Sequence, residues 1–225
     1  MPSGLTWPAE GAFTIPLYFD YFATFVWALS GAVVGVRRGY DIVGVFVIAL
    51  VSSTGGGLIR DGFLLQRTPG ILTNGVYLVL IVVATVLVAI AARKLVNIPS
   101  SARTDKLIEL IDAVGVPAFA VVGMQLAMAQ GVPIPGVVLV GVVNGVGGGL
   151  LRDVLARETP RLLLPGQYSA LVVLLACVVF VALTRGISLG ATPAALVAMA
   201  LFFVVRALTV RFNWKSDPLL REPPQ

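Results

Sequence analysis

The stretch Gly55-Gly56-Gly57-Leu58-Ile59-Arg60-Asp61 recurs 92 residues later as Gly147-Gly148-Gly149-Leu150-Leu151-Arg152-Asp153. Both copies lie near the C-terminal end of a long apolar run. A glycine inside a helix costs about 1 kcal/mol relative to alanine, and ionisable residues inside a bilayer are rare and costly. Two unfavourable choices that recur together at one spacing mark the element around which the chain is organised.

Composition places that element in a membrane. The 225 residues are 58% hydrophobic and 12% charged, with mean hydropathy +0.97, whereas soluble domains are about 25% charged. There is no histidine, and the single cysteine, Cys177, lies in an apolar run. An intrachain disulfide and a His/Cys metal site are therefore excluded, and Cys177 reads as a packing or lipid-facing residue. The basic residues behind the net charge of +5 are scattered over connections. They form no nucleic-acid patch and instead reflect topology.

A spanning helix needs about 20 apolar residues. Seven segments qualify: 17–36, 41–65, 75–92, 107–129, 134–155, 168–183 and 193–210. Residues 1–16 are polar and proline-broken, with Trp7 suited to an interface and no signal-peptide pattern. The chain divides into an extracytoplasmic segment 1–16, a three-helix unit 17–96 and a cytoplasmic loop 97–106. A second three-helix unit 107–185, a seventh helix 191–210 and a cytoplasmic tail 211–225 (with Trp214) follow. One side of the membrane receives Arg37, Arg38, Arg93, Lys94, Arg103, Lys106, Arg157, Arg161, Arg211, Lys215 and Arg221. The other receives Arg67 and Arg185. By the positive-inside rule the N-terminus is outside and the C-terminus is cytoplasmic.

The repeat extends beyond the glycines. At the 92-residue offset Asp20 meets Asp112, Gly31 meets Gly123, Gly39 meets Gly131, and Gly44-Val45 meets Gly136-Val137. After the motif the register slips by one, so Thr68-Pro69 meets Thr159-Pro160 and Tyr77 meets Tyr168. Three helices per unit means the second copy enters from the opposite side. The expected fold is therefore all-α and integral to the membrane, two inverted three-helix repeats plus a seventh helix. Secondary transporters use such repeats, with broken helices, to place a site near the midplane.

In this reading the triplets break their helices on opposite sides of the midplane and free backbone carbonyls as cation ligands. Asp20, Arg60 and Asp61 form an acid–base cluster at the outer mouth, and Asp112, Arg152 and Asp153 one at the inner mouth. A plainer reading also stands. Small residues let membrane helices pack closely, and an Arg-Asp pair can end a helix by snorkelling. Gly31/Gly35 and Gly141/Gly145 fit helix packing, Arg206 fits an anchor at the inner interface, and Ser52-Ser53-Thr54 fits local backbone capping.

Two copies of Gly-Gly-Gly-x-x-Arg-Asp, each in the second helix of a three-helix unit and followed by a seventh helix, resemble the prokaryotic trimeric intracellular cation (TRIC) channels. The resemblance covers about residues 17–210. It implies a homotrimer with one pore per protomer, lined by the kinked helices two and five, in a bacterial or archaeal inner membrane. It implies permeation by potassium and other monovalent cations. No cofactor and no enzymatic activity are expected, since the chain offers no histidine, no metal cluster and no nucleophile beside a base. The kinks fall at Gly55, Gly56, Gly57, Gly147, Gly148 and Gly149, and the pore-associated basic positions at Arg60 and Arg152. Animal members carry a lysine-containing segment after the first kink and bind phosphoinositide there, where this chain has Arg60-Asp61-Gly62. The doubled motif also marks a wider set of small bacterial membrane proteins, some described as glycine transporters. That leaves a small-solute carrier, whose half-helix ends bind charged groups, as the alternative to a channel.

Overall fold

The structure, a computed structural model, describes residues 17–94, 102–164 and 169–212. Segment 1–16, Tyr168 and the tail beyond residue 212 lie outside the described residues. Those described form helices and connections, with no strand among them. α1 spans Leu17–Arg37 and α2 spans Ile42–Leu58, continued by a π-helical turn Ile59–Leu64. The short α3 (Gly70–Thr73) leads into α4 (Val76–Lys94). Then come α5 (Ala102–Ala129), α6 (Ile134–Leu155), a 3-10 turn Arg161–Leu163, α7 (Ser169–Gly186) and α8 (Ala191–Arg211). Six of these helices are long and apolar enough to cross a membrane, and α7 offers a shorter apolar stretch, Leu171–Gly186. The chain is an all-helical membrane protein.

Local chemistry closes α1 and α5 in the same way. α1 and α5 stop at Gly39 and Gly131, whose φ angles of 73° and 71° suit glycine. At each end the next amide bonds back to a carbonyl of the last turn, Tyr40 to Gly35 at 3.1 Å and Val132 to Ala127 at 3.0 Å. That is a Schellman-type closure. The Asp41 carboxylate accepts from the Gly44 amide at 2.8 Å and caps α2.

Two corrections to the sequence reading emerge. α5 begins at Ala102, inside the 97–106 stretch expected as loop, because Asp105 is held by Arg37 and Arg161 beyond the apolar run. Neither glycine triplet breaks its helix: α2 stays α-helical through Gly57, and α6 runs unbroken from Ile134 to Leu155. The only departure is the π turn that follows the first triplet. The carbonyls of Gly147–Gly149 are therefore not freed, and the glycines serve contact between helices instead.

Each half builds its own apolar core. Ala28, Ala32, Val45, Ala49, Ile81 and Ala84 join α1, α2 and α4. Met124, Val137, Val173, Cys177, Phe180 and Ala194 join α5 to α8, with Cys177 buried in packing. A Cβ on Gly31 would stand 2.7 Å from the Ile48 carbonyl oxygen, and one on Gly145 2.9 Å from that of Val116. The two small-residue motifs do pack helices. Val79, Val82, Val83, Val86 and Ile90 cover the outer face of α4, an apolar surface suited to lipid.

Candidate functional site

α2 and α6 cross at their glycines. A Cβ on Gly56 would lie 2.5 Å from the Asn144 carbonyl oxygen, and one on Gly148 would overlap the Ser52 carbonyl oxygen. Ser52 and Asn144 are themselves 92 residues apart. In the same way Gly55 faces the Leu151 Cδ1 and Gly147 faces the Ile59 Cδ1. Each contact is the image of the other with the halves exchanged, as in an isologous interface. Only glycine lets the two backbones meet here.

Two aromatic residues stand beside this crossing. Trp27 of α1 and Phe119 of α5, again 92 apart, stack with centroids 6.5 Å apart and planes 12° apart. Phe119 lines one cavity and Trp27 another, so the stack lies between the two.

The first cavity, about 30 Å³, is lined by Asp20, Thr24, Ser53, Thr54, Arg60 and Asp61, among others. Such a volume admits a water molecule or two. The π turn brings neighbouring residues Arg60 and Asp61 inward together, both buried. Arg60 Nε and Nη2 each bond a different Asp61 oxygen at 2.7 Å, and Nη1 reaches Asn144 Oδ1 at 3.4 Å. Asp20 lines the same cavity, yet no ion pair joins it to Arg60. Its Oδ2 instead accepts from the Tyr77 hydroxyl. Arg67, 39% exposed in its side chain, approaches Asp61 at 3.7 Å.

The second cavity, about 60 Å³, is lined by Trp27, Glu109, Asp112, Arg152, Asp153 and Arg206, among others. Here all three sequence-selected charges join. Arg152 reaches Asp112 through Nη1 at 2.8 Å and Nη2 at 3.0 Å, and Asp153 through Nε at 2.8 Å. Ser30 of α1 donates to Asp112 Oδ1 at 2.7 Å and also accepts from Arg152. The guanidinium carbon stands 5.4 Å from the Trp27 ring centroid. Such pairing is what a buried charge in a membrane requires. Asp153 Oδ2 also accepts from the Arg161 amide at 3.1 Å.

The sequence reading did not single out Ser30, Trp27, Phe119 or Asn144. The repeat offset would have found the aromatic pair, since 27 and 119 are equivalent positions. It could not have found Ser30, whose equivalent is Val122. Arg206 corrects another expectation: it is 9% exposed and faces the second cavity rather than acting as an interfacial anchor. Of Ser52-Ser53-Thr54, the last two do bond backbone carbonyls one turn back.

A family model described as glycine transporter matches residues 17–93 and again 109–185, one match per half. The membrane protein YvgT of Bacillus subtilis is 30% identical over 84% of this chain and 88% of its own length. The inner membrane protein YadS of Escherichia coli is 30% identical over 88% of this chain and 93% of its own. A membrane protein of Deinococcus radiodurans is 34% identical, and there the match spans 65% of each chain. Among solved structures, a TRIC trimeric intracellular cation channel orthologue from Rhodobacter sphaeroides aligns at TM-score 0.79. It is 28% identical, over 87% of this chain and 97% of that one. A structure described as explaining conductance through TRIC cation channels aligns at TM-score 0.78 and 26% identity, over 94% and 100%. The chain belongs to the family described as glycine transporter, and its fold is that of the TRIC cation channels.

Proposed function

We propose that the chain is a passive channel for potassium and other monovalent cations, a homotrimer with one pore in each protomer. The carrying observation is the pair of charged cavities on either side of the α2–α6 crossing, parted by the Trp27–Phe119 stack. The TRIC structures it resembles support this reading.

In this proposal α1, α2 with its π turn, and α4 form one unit. α5, α6 and α7 form its inverted partner, and α8 completes seven spans. The reciprocal glycine contacts support the inversion. The basic connections support an N-terminus outside and a C-terminus in the cytoplasm, across a bacterial inner membrane. Asp20, Arg60 and Asp61 then face the outer cavity, and Asp112, Arg152 and Asp153 the inner one. An arginine in a cation path would repel its cargo. Here Asp61 neutralises Arg60, and Asp112 and Asp153 surround Arg152. The role is transport, with no catalytic step.

A second reading, a carrier for a glycine-like solute, is favoured by the description of the matching family model and by the separation of the two cavities. Reconstitution decides between them. A channel gives unitary currents in planar bilayers and no counterflow of labelled glycine in proteoliposomes. A carrier gives saturable glycine counterflow and no unitary current.

A further inference from the structure

The repeat supplies an internal control that shows the two cavities to be chemically different. In the second, Asp112 is neutralised by two bonds from Arg152. Its equivalent in the first, Asp20, has no ion pair among the described residues, and its Oδ1 has no hydrogen-bond partner among them. Arg60, which could have balanced it, is taken up by both oxygens of Asp61. With both aspartates ionised, Asp20, Arg60 and Asp61 together carry one negative charge. Arg67 does not line the first cavity and is screened by its exposure.

The neutral lining differs as well. Thr24 and Thr54 of the first cavity are replaced at the equivalent positions by Val116 and Val146, which line the second, and Ser53 by Gly145. Thr24 lies one helical turn from Asp20 on the same face. It is 2% exposed and lines the cavity. Ser53 and Thr54 donate their hydroxyl protons to the carbonyls of Ala49 and Leu50, at 2.8 and 2.7 Å. Their oxygens can therefore act only as acceptors towards the cavity.

We propose that the first cavity is a binding site for one small monovalent cation, sodium or potassium. The Asp20 carboxylate and the Thr24, Ser53 and Thr54 hydroxyl oxygens are its ligands. Hard oxygen donors suit an alkali cation, and a single carboxylate without a direct ion pair among the described residues matches one positive charge. A carboxylate at membrane depth is costly unless paired, and the cation supplies the pair. The second cavity, with its valines and its locked aspartate, is not such a site. The inference deepens the proposed cation transport, but binding at equilibrium tests it independently of conduction.

The test is thermal unfolding of the purified full chain in detergent, at constant ionic strength. Sodium or potassium chloride is titrated against N-methyl-D-glucamine chloride at neutral pH. The expected result is a saturable rise in Tm, about 3–6 °C at a tenfold excess over Kd. It disappears in Asp20→Asn and weakens at least about tenfold in apparent affinity in Thr24→Val, a loss of about 1.4 kcal/mol. Arg38→Gln, remote from both cavities, keeps the cation response. Thr24→Val carries the test if Asp20→Asn does not fold. A Tm indifferent to the cation, a response unchanged in Thr24→Val, or stabilisation only by lowering pH (a proton in place of the metal ion) overturns the site. Cation-dependent Tm without current sustains the site and sinks the channel, and current without a cation-dependent Tm does the reverse.

Discussion

Trp27 and Phe119, equivalent residues of the two halves, stack on each other at 6.5 Å between the cavities that hold Arg152 and Arg60. In the proposed ion path this stack is the barrier, because a ring face offers no polar atom to replace a hydration shell.

Shortening the stack is expected to lower that barrier. Phe119→Ala should increase unitary current or open time in bilayers. In the same variant stability should fall by about 3 kcal/mol. That is the low end for a packed aromatic, because bilayer hydrocarbon is as apolar as the core. An unchanged current places the barrier elsewhere.

The glycines of one triplet should differ sharply in tolerance. A Cβ on Gly148 meets the Ser52 carbonyl oxygen and one on Gly56 the Asn144 carbonyl oxygen, both backbone atoms that cannot turn away. On Gly57 the nearest atom is Arg60 Nη2 at 3.7 Å. Gly148→Ala and Gly56→Ala should each cost about 1–3 kcal/mol by overpacking. Gly57→Ala should be neutral or stabilising by up to about 1 kcal/mol through helix propensity. Thermal unfolding of the three variants checks the order.

Arg152, its side chain 1% exposed, pairs with the partly buried Asp112, 18% exposed. Removing one partner leaves the other uncompensated, so Arg152→Gln should cost about 3–5 kcal/mol. The double variant Arg152→Gln with Asp112→Asn should recover part of that loss, a coupling a double-mutant cycle measures. Full additivity would contradict the pairing.

Arg37 ties the end of α1 to Asp105 of α5 and to Glu158 beyond α6. Arg37→Gln should lower stability by about 1 kcal/mol, less at high salt, as for a partly exposed pair. The more exposed Arg38, whose side chain bonds Glu158 and the Arg157 carbonyl, should matter less when replaced by glutamine. Unfolding at low and high salt checks both.

The doubled Gly-Gly-Gly-x-x-Arg-Asp motif made the class, the repeat and the charged residues legible, because the cost of glycine and of charge is local and recurs at one spacing. Which of the two readings of the glycines holds, helix break or close packing, was not legible. Sequence shows that glycine weakens a helix, but not that a carbonyl from a distant residue stands where its Cβ would be. The pairing within the first cluster was hidden for a similar reason. Asp20 and Arg60 line one cavity, but Tyr77, 57 residues away from Asp20, takes the aspartate while Asp61 takes the arginine. Arg206 looked like a membrane anchor because its segment is apolar all round, which leaves the inward face undefined.

The most direct test of a cation pathway through one protomer is single-channel recording of the purified protein in a planar bilayer with asymmetric potassium chloride. The expected result is ohmic unitary current that reverses at the potassium Nernst potential and changes in Arg60→Ala or Arg152→Ala. Reversal at the chloride potential, or electrical silence alongside saturable uptake of labelled glycine, would contradict it.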